Sequence, residues 1–283
     1  MRYWKPAAAL ADLVSGYHLY AIDTARGTRH RDVFQPAWAN LRVVLTEDSD
    51  WRVRVGSGPW HRASGCVLFG PSSKATWSES RSGIVVGAGL TPLGWSRLSE
   101  ARAADWANRI GECSGAIAAD VSALRKLLCD VDGDDALPPL LDSFLIGAMA
   151  RPTRNAQAIA RAQQALLDPA VRSVGAFAEQ VGMTPRSLER LAATAFGFAP
   201  KLLLLRRARF LRSLHAVRIA DPATRAAAID PGYTDYSHFV RDAHEFLDMS
   251  PQAFLRLDNP LLVQSAKLRS EILGAPAQAL GTR

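Results

Sequence analysis

Several absences narrow what this 283-residue chain can be. No apolar run approaches the roughly 20 consecutive residues of a membrane-crossing helix, so no membrane partner is expected. The start, Met1-Arg-Tyr-Trp-Lys-Pro6, carries basic residues but no apolar core leading to a cleavage site, which predicts a cytoplasmic protein without a secretory signal. Only three cysteines occur, Cys66, Cys113 and Cys129, odd in number and far apart. Their spacing suggests neither a zinc site nor a disulfide framework, and predicts reduced thiols. Six histidines form no His-x-His and no His-Glu-x-x-His. No metal, no cofactor and no catalytic residue are expected from these patterns. Tryptophan is missing after position 106, all seven lying at 4, 38, 51, 60, 77, 95 and 106. An aromatic ligand cage is one reading, and ordinary packing of a strand-rich region is the preferred one. Acidic residues are absent between Pro200 and Ala220, where Lys201, Arg206, Arg207, Arg209, Arg212 and Arg218 fall. With a net charge of +7, that run favours an anionic partner.

What is present divides into two textures. The first ninety residues read as strands. Trp51-Arg-Val-Arg-Val55 alternates apolar and basic, as a half-buried antiparallel strand does, and Leu41-Arg-Val-Val-Leu45, 66–69 and 84–86 are further candidates. Glycine, proline and serine at 56–59, 70–73 and 82–83 supply turns. Helical spacing follows, in Ile117, Val121, Leu124 and Leu128, then in Leu140 to Met149 after a break at Pro138-Pro139. The first stripe is either core of its own domain or a dimer seam. The predicted class is α+β with two domains: a β-rich barrel or sandwich with helices, then an all-α domain. The expected boundaries are 1–150 for a sensor or regulatory domain, 151–155 for a linker, 156–258 for the helical domain and 259–283 for a tail. That tail has a candidate helix over 261–273 and a Gly/Pro/Ala-rich end.

The most specific pattern occurs twice in the helical part. Residues 174–191 and 224–241 each read as a short apolar helix, a glycine four residues after a small inward residue (Ala178 and Gly182, Ala228 and Gly232), a polar N-cap and a second helix. Thr184 with Pro185 caps the first of these second helices; Thr234 or Asp235 caps the other. Each then carries an inward apolar residue, Leu188 or Phe239, and an arginine two positions later, Arg190 or Arg241. A helix entering the major groove needs that layout, one face packed and the other offering donors.

These residues resemble the DNA-binding domain of the AraC/XylS transcription regulators. The resemblance runs from about 172 to 256 through Gly182-Met-Thr-Pro-Arg-Ser-Leu-Glu-Arg190, Gly197-Phe-Ala-Pro-Lys201, Arg209-Phe210, Gly232-Tyr-Thr-Asp-Tyr-Ser-His-Phe-Val-Arg-Asp242, Met249-Ser-Pro251 and Phe254. It implies seven helices, two helix-turn-helix units and a sequence-specific regulator bound to double-stranded DNA. Ala192 and Ala243 stand where the family has an aromatic residue, and Asp248 where it has glycine. Looser packing and a disturbed turn before Ser250-Pro251 are expected from these departures. Phe69-Gly-Pro71 and the run from Val85 to Trp95 resemble the upstream domain of some AraC-type regulators, implying only a sensor or regulatory domain, with which a small-molecule effector is compatible. RNA polymerase and a second copy of the chain are compatible further partners.

On this reading the DNA-facing set of the first unit is Thr184, Arg186, Ser187, Glu189 and Arg190. Arg190 suits guanine or a phosphate, and Glu189 a cytosine amine. The second unit offers Tyr236, Ser237, His238, Val240 and Arg241, with Val240 placed for a thymine methyl. Lys201, Arg206 and Arg207 would meet phosphates. For His238 a partly buried structural role is preferred to a catalytic one, because no carboxylate or nucleophile motif accompanies it. Two alternatives stand beside the regulator. One is a DNA alkyl-transfer or other enzyme fused to an AraC-like module, which would need an activated cysteine. The other is a ligand-binding protein that has lost DNA binding.

Overall fold

A computed structural model describes residues 1–25, 28–113 and 116–274. The N-terminal part is built on two antiparallel sheets from β1 (Arg2–Trp4), β2 (Val14–Asp23), β3 (His30–Phe34), β4 (Asn40–Val44), β5 (Arg52–Val55), β6 (His61–Arg62), β7 (Cys66–Phe69), β8 (Thr76–Ser80), β9 (Ser82–Leu90) and β10 (Ile110–Glu112). One sheet has six strands in the order β1-β2-β9-β4-β7-β10, and the other has four in the order β3-β8-β5-β6. The alternation at 51–55 is realised, with Trp51 and Val53 buried and Arg52 and Arg54 on the other face. That face is tied together by charge. Arg52 pairs with Glu79 at 2.5 Å and lies over Trp60, while Arg54 lies between Trp60 and Trp77.

Helices α1 (Pro92–Leu98), α2 (Ala116–Cys129) and α3 (Leu137–Ala148) pack beside the larger sheet. Val121, Leu124 and Leu128 are buried in the same core as the strands, so this stripe is intradomain packing; the side chain of Ile117 lies outside the described residues. The expected break at Pro138-Pro139 is instead the first turn of α3, where proline costs no hydrogen bond. Cysteine is a clearer correction. Cys66 and Cys113 form a disulfide, because β10 pairs with β7 and brings together residues 47 apart in sequence. Spacing along the chain carries no record of that pairing. Cys129 is free and exposed.

The rest is helical: α4 (Ala156–Leu167), α5 (Val174–Val181), α6 (Pro185–Leu191), α7 (Arg209–Ile219), α8 (Tyr236–Leu247), α9 (Pro251–Arg256) and α10 (Pro260–Leu273). No described helix is long and apolar enough to cross a membrane. Asn155 stands at the N-cap of α4 as expected, although its side chain accepts no capping hydrogen bond.

The apolar core does not stop at residues 151–155. One buried cluster runs from Leu10, Trp38 and Val86 through α4 to Phe177, Leu188 and Phe196. A second joins Val33 and Ala75 of the strand region to Phe210, Phe239, Phe246, Phe254 and Leu262. The segment expected as a tail is therefore structural: α10 folds back onto the strands and buries Leu261, Leu262, Ser265 and Arg269. The Gly/Pro/Ala-rich end at 275–283 lies outside the described residues.

Candidate nucleic-acid interface

The first helix-turn-helix unit is assembled by backbone caps around an apolar seam. Ser173 opens α5 by accepting from the Ala176 amide at 3.0 Å. The helix ends at Gly182, whose φ of 75° is the left-handed conformation that the sequence requires there. Thr184 accepts from the Ser187 amide at 3.3 Å, and Pro185 fills the first helical position of α6. Phe177, Ala178, Leu188 and Leu191 are buried. Thr184, Arg186, Glu189 and Arg190 are exposed and Ser187 is half-buried, so the five expected residues share an outer surface. Arg190 reaches Ser187 Oγ at 3.4 Å.

The second unit departs from expectation. Its first helix is reduced to one 3-10 turn, Arg225–Ala228, and Gly232 is not left-handed. The chain is already extended at Ile229, and Pro231 keeps Asp230 out of the helical region and offers no amide of its own. Asp230 makes the bend instead. Its carboxylate accepts from the Gly232 amide at 2.8 Å and from Arg212 at 3.0 Å, while its own amide donates to Ser213 Oγ at 2.9 Å. Asp235, rather than Thr234, caps α8 by accepting from the His238 amide at 2.7 Å.

Along α8, Phe239, Asp242, Ala243, Phe246 and Leu247 point inward. Ser237 and Arg241 are exposed, and Tyr236, His238 and Val240 are half-buried. His238 lies edge-on to Tyr233 and 3.3 Å from Arg209 Nη2. Ala192 and Ala243 are both buried in apolar clusters. Asp248 keeps the left-handed turn, with φ of 59°, and Ser250 caps α9 normally. The expected disturbance of that turn does not occur.

The basic connection between the units runs through a wide-turned segment, Lys201–Ala208, into α7. Its arginines are mostly occupied, and burial corrects the phosphate-facing expectation for Arg207. Arg207 is 1% exposed, donates to the Ser72 carbonyl at 2.9 Å and stands 4.2 Å from the Trp38 ring centroid. Burial pushes its pKa down to about 9. It cannot reach a phosphate from there. Arg206 binds Asp242 at 2.8 Å and lies over Phe246. Arg209 adds bonds to Asp242 and to the Gly232 carbonyl. Lys201 is exposed and carries no ion pair among the described residues.

Asp242, Asp230 and Tyr233 are the residues the sequence reading missed. Asp242 is 2% exposed and accepts from Arg206, Arg209 and the Tyr233 hydroxyl, the last at 2.9 Å. Burial and the Asp242 charge push the Tyr233 pKa upward. The signal was available: Asp242 falls at i+3 from Phe239 and i−4 from Phe246, an inward position on an otherwise apolar face.

The strand region holds both units. At Gly197, with φ of 86°, a Cβ would come within 2.6 Å of Pro71 Cγ, so that approach requires glycine. The Ala75 amide donates to the Phe246 carbonyl at 2.7 Å, and Lys74 donates to the Glu245 carbonyl and to its carboxylate at 2.8 Å. These donors satisfy carbonyls near the C-terminal end of α8.

Two solvent-facing helices, each anchored by a buried side chain and joined by one basic helix, define a tandem helix-turn-helix protein. Residues 177–257 match the family model described as a helix-turn-helix domain. This segment is a helix-turn-helix domain. No curated protein matches the chain in sequence. Among solved structures, ToxT from Vibrio cholerae aligns over 84% of this chain and 96% of its own, at 11% identity and a TM-score of 0.46. A structure of ToxT with an unsaturated fatty acid bound aligns over 84% and 94%, at 11% identity and 0.45. The AraC-like transcriptional activator CuxR aligns over 84% of each chain at 13% identity and 0.29. The assignment rests on the family match.

Proposed function

We propose that α6 and α8 read base edges in successive major-groove turns, about 34 Å apart on one face of the duplex. The observation carrying this is the pair Arg190 and Arg241, both exposed two residues beyond a fully buried anchor. Arg186, Ser187 and Glu189 complete the first reading surface, with Thr184 at its entry. Tyr236, Ser237, His238 and Val240 surround Arg241, and Lys201 takes a phosphate. Arg206 supports the second unit through Asp242. The N-terminal region senses an effector and passes its state to both units through the two shared apolar clusters. The regulator acts in the cytoplasm. Contact with RNA polymerase and pairing with a second copy belong to the same proposal. The exposed Leu127 and Ile146 on α2 and α3 are apolar side chains available to that copy.

Footprinting on a selected operator tests the reading. Arg190→Ala and Arg241→Ala should each cost about 1–3 kcal/mol on the cognate site and relax different base positions, one helical turn apart. If Arg241→Ala changes neither affinity nor base preference, the second unit does not read sequence.

A further inference from the structure

Between the six-stranded sheet and α10 lies a cavity of about 90 Å³. Its walls include His18, Arg42 and Tyr20 from the sheet and Ser265 and Arg269 from α10. The three basic side chains are deeply buried, His18 at 3%, Arg42 at 8% and Arg269 at 6% exposure. None has an acidic partner among the described residues. The one side-chain hydrogen bond of Arg42 runs from Nε to Asn40 Oδ1 at 3.3 Å. Arg269 Nε and Nη2 and His18 Nε2 have no hydrogen-bond partner among the described residues. Burial depresses the pKa of all three.

Arg207 is likewise buried without an acid, on the Ser72 carbonyl and the Trp38 ring, but the other buried or half-buried arginines near a carboxylate are paired. Arg206 and Arg209 meet Asp242, Arg212 meets Asp230, and Arg31 and Arg52 meet Glu79. Charge removed from water without a counter-ion carries a large desolvation penalty. Aromatic rings offset part of it at Arg42, whose guanidinium carbon lies 4.5 Å from the Phe69 ring centroid and 5.6 Å from those of Tyr20 and Trp51. Rings accept the charge, while among the described residues only Nε of the Arg42 guanidinium donates a hydrogen bond. Three linked hydroxyls join the set, Tyr3 bonding Tyr20 at 2.9 Å and Ser265 at 2.8 Å.

We propose that this cavity binds a short-chain organic carboxylate, its oxygens accepting from Arg42 and Arg269, and that α10 forms half of the site. The proposal rests on reading the N-terminal region as the effector domain. Two guanidiniums suit a planar anion, and Phe34, Trp38 and Phe69 in the wall suit an apolar body better than a free phosphate would be suited. A volume of about 90 Å³ is several times the roughly 10–15 Å³ that one water needs on the same measure, which leaves room for a small acid.

The same helix carries the occupancy to the second unit. The Leu262 amide donates to Asp32 Oδ1 at 3.2 Å, and the Val33 amide donates to Asn259 Oδ1 at 3.0 Å, a reciprocal latch between β3 and the start of α10. Leu262 shares its apolar cluster with Phe246 of α8 and Phe254 of α9. An anion between Arg42 and Arg269 pulls α10 toward the sheet, and α10 is packed against the second unit.

Thermal unfolding of the full chain, titrated with acetate, butyrate, benzoate and inorganic phosphate at constant ionic strength, tests this. A carboxylate at about 100 times its Kd should raise Tm by about 5 °C. Arg269→Gln should abolish that increment and should raise Tm without ligand, because it removes an uncompensated buried charge. Equal stabilisation by phosphate would overturn the carboxylate assignment. No stabilisation by any anion, or an Arg269→Gln protein that is less stable than wild type without ligand, would overturn the site. Gel shifts on the same samples separate the two readings: DNA binding without an anion effect sinks this proposal alone, and an anion effect without DNA binding sinks the regulator.

Discussion

The two helix-turn-helix units reach the same outward layout by different physics. In the first, a left-handed glycine, two hydroxyl caps and a seam of Phe177, Leu188 and Leu191 set the angle between α5 and α6. In the second, the scaffold helix is a single 3-10 turn, and a charged hub stands in for it. Asp242 gathers Arg206, Arg209 and Tyr233, while Asp230 gathers Arg212 and the Gly232 amide. Apolar seams tolerate rearrangement with loss of packing, whereas a buried ionic hub fails when one member is removed. The second unit should therefore be more easily disabled by a single change, and it is also the unit that α10 and the Lys74–Ala75 segment hold.

The largest expected effect follows from that contrast. Asp242→Ala strands Arg209, whose side chain is 14% exposed, and frees Arg206, which is 38% exposed and can turn to water. The cost should fall near the lower end of the buried-pair range, about 3 kcal/mol. Urea unfolding should show it, and footprinting should show the second half of the operator lost before the first. Equal loss of both halves would mean the units do not fail separately.

Leu188→Ala is the matching change in the first unit. It opens space beside Phe177 and Leu191 in the larger cluster and should cost about 2–3 kcal/mol. Here the first half of the operator should weaken. Because that cluster runs on into the strands, tryptophan fluorescence should report the same transition. Fluorescence unfolding at an unchanged midpoint would show that the shared core is not cooperative.

How far the chain could be read follows from what periodicity encodes. Leu188 and Phe239 were legible as anchors because a face is written in spacing along one helix, and the alternation at 51–55 was legible for the same reason. Partners on other elements are not written there. Arg207 belongs to a basic run, yet its place is set by Ser72 and Trp38, more than 130 residues away. The disulfide depends on β7 meeting β10, and the value of α10 depends on a sheet its own sequence does not mention. Asp242 is half legible: its spacing from Phe239 and Phe246 marks an inward position, but its partners Arg206 and Arg209 lie on other elements and are not written in that spacing.

The smallest expected difference separates the two glycines that the sequence treats alike. Gly182 has φ of 75°, and a Cβ added there would have only the Arg161 guanidinium within 4 Å, so Gly182→Ala meets open space but an unfavourable backbone. The left-handed conformation should cost alanine about 1–2 kcal/mol. Gly232 has no positive φ. A Cβ there would come within 3.0 Å of Asp230 Oδ1 and 3.3 Å of Arg209 Cδ, both side-chain rather than backbone atoms, which can give by a few tenths of an ångström while keeping their hydrogen bonds. Gly232→Ala should therefore cost about 1 kcal/mol or less, with reduced chain entropy in the unfolded state offsetting part of the crowding. Paired urea titrations of the two variants measure the difference. A larger loss at Gly232 would mean that the Asp230 turn is too rigid to move, and that the second unit owes its geometry to that turn more than to the Asp242 hub.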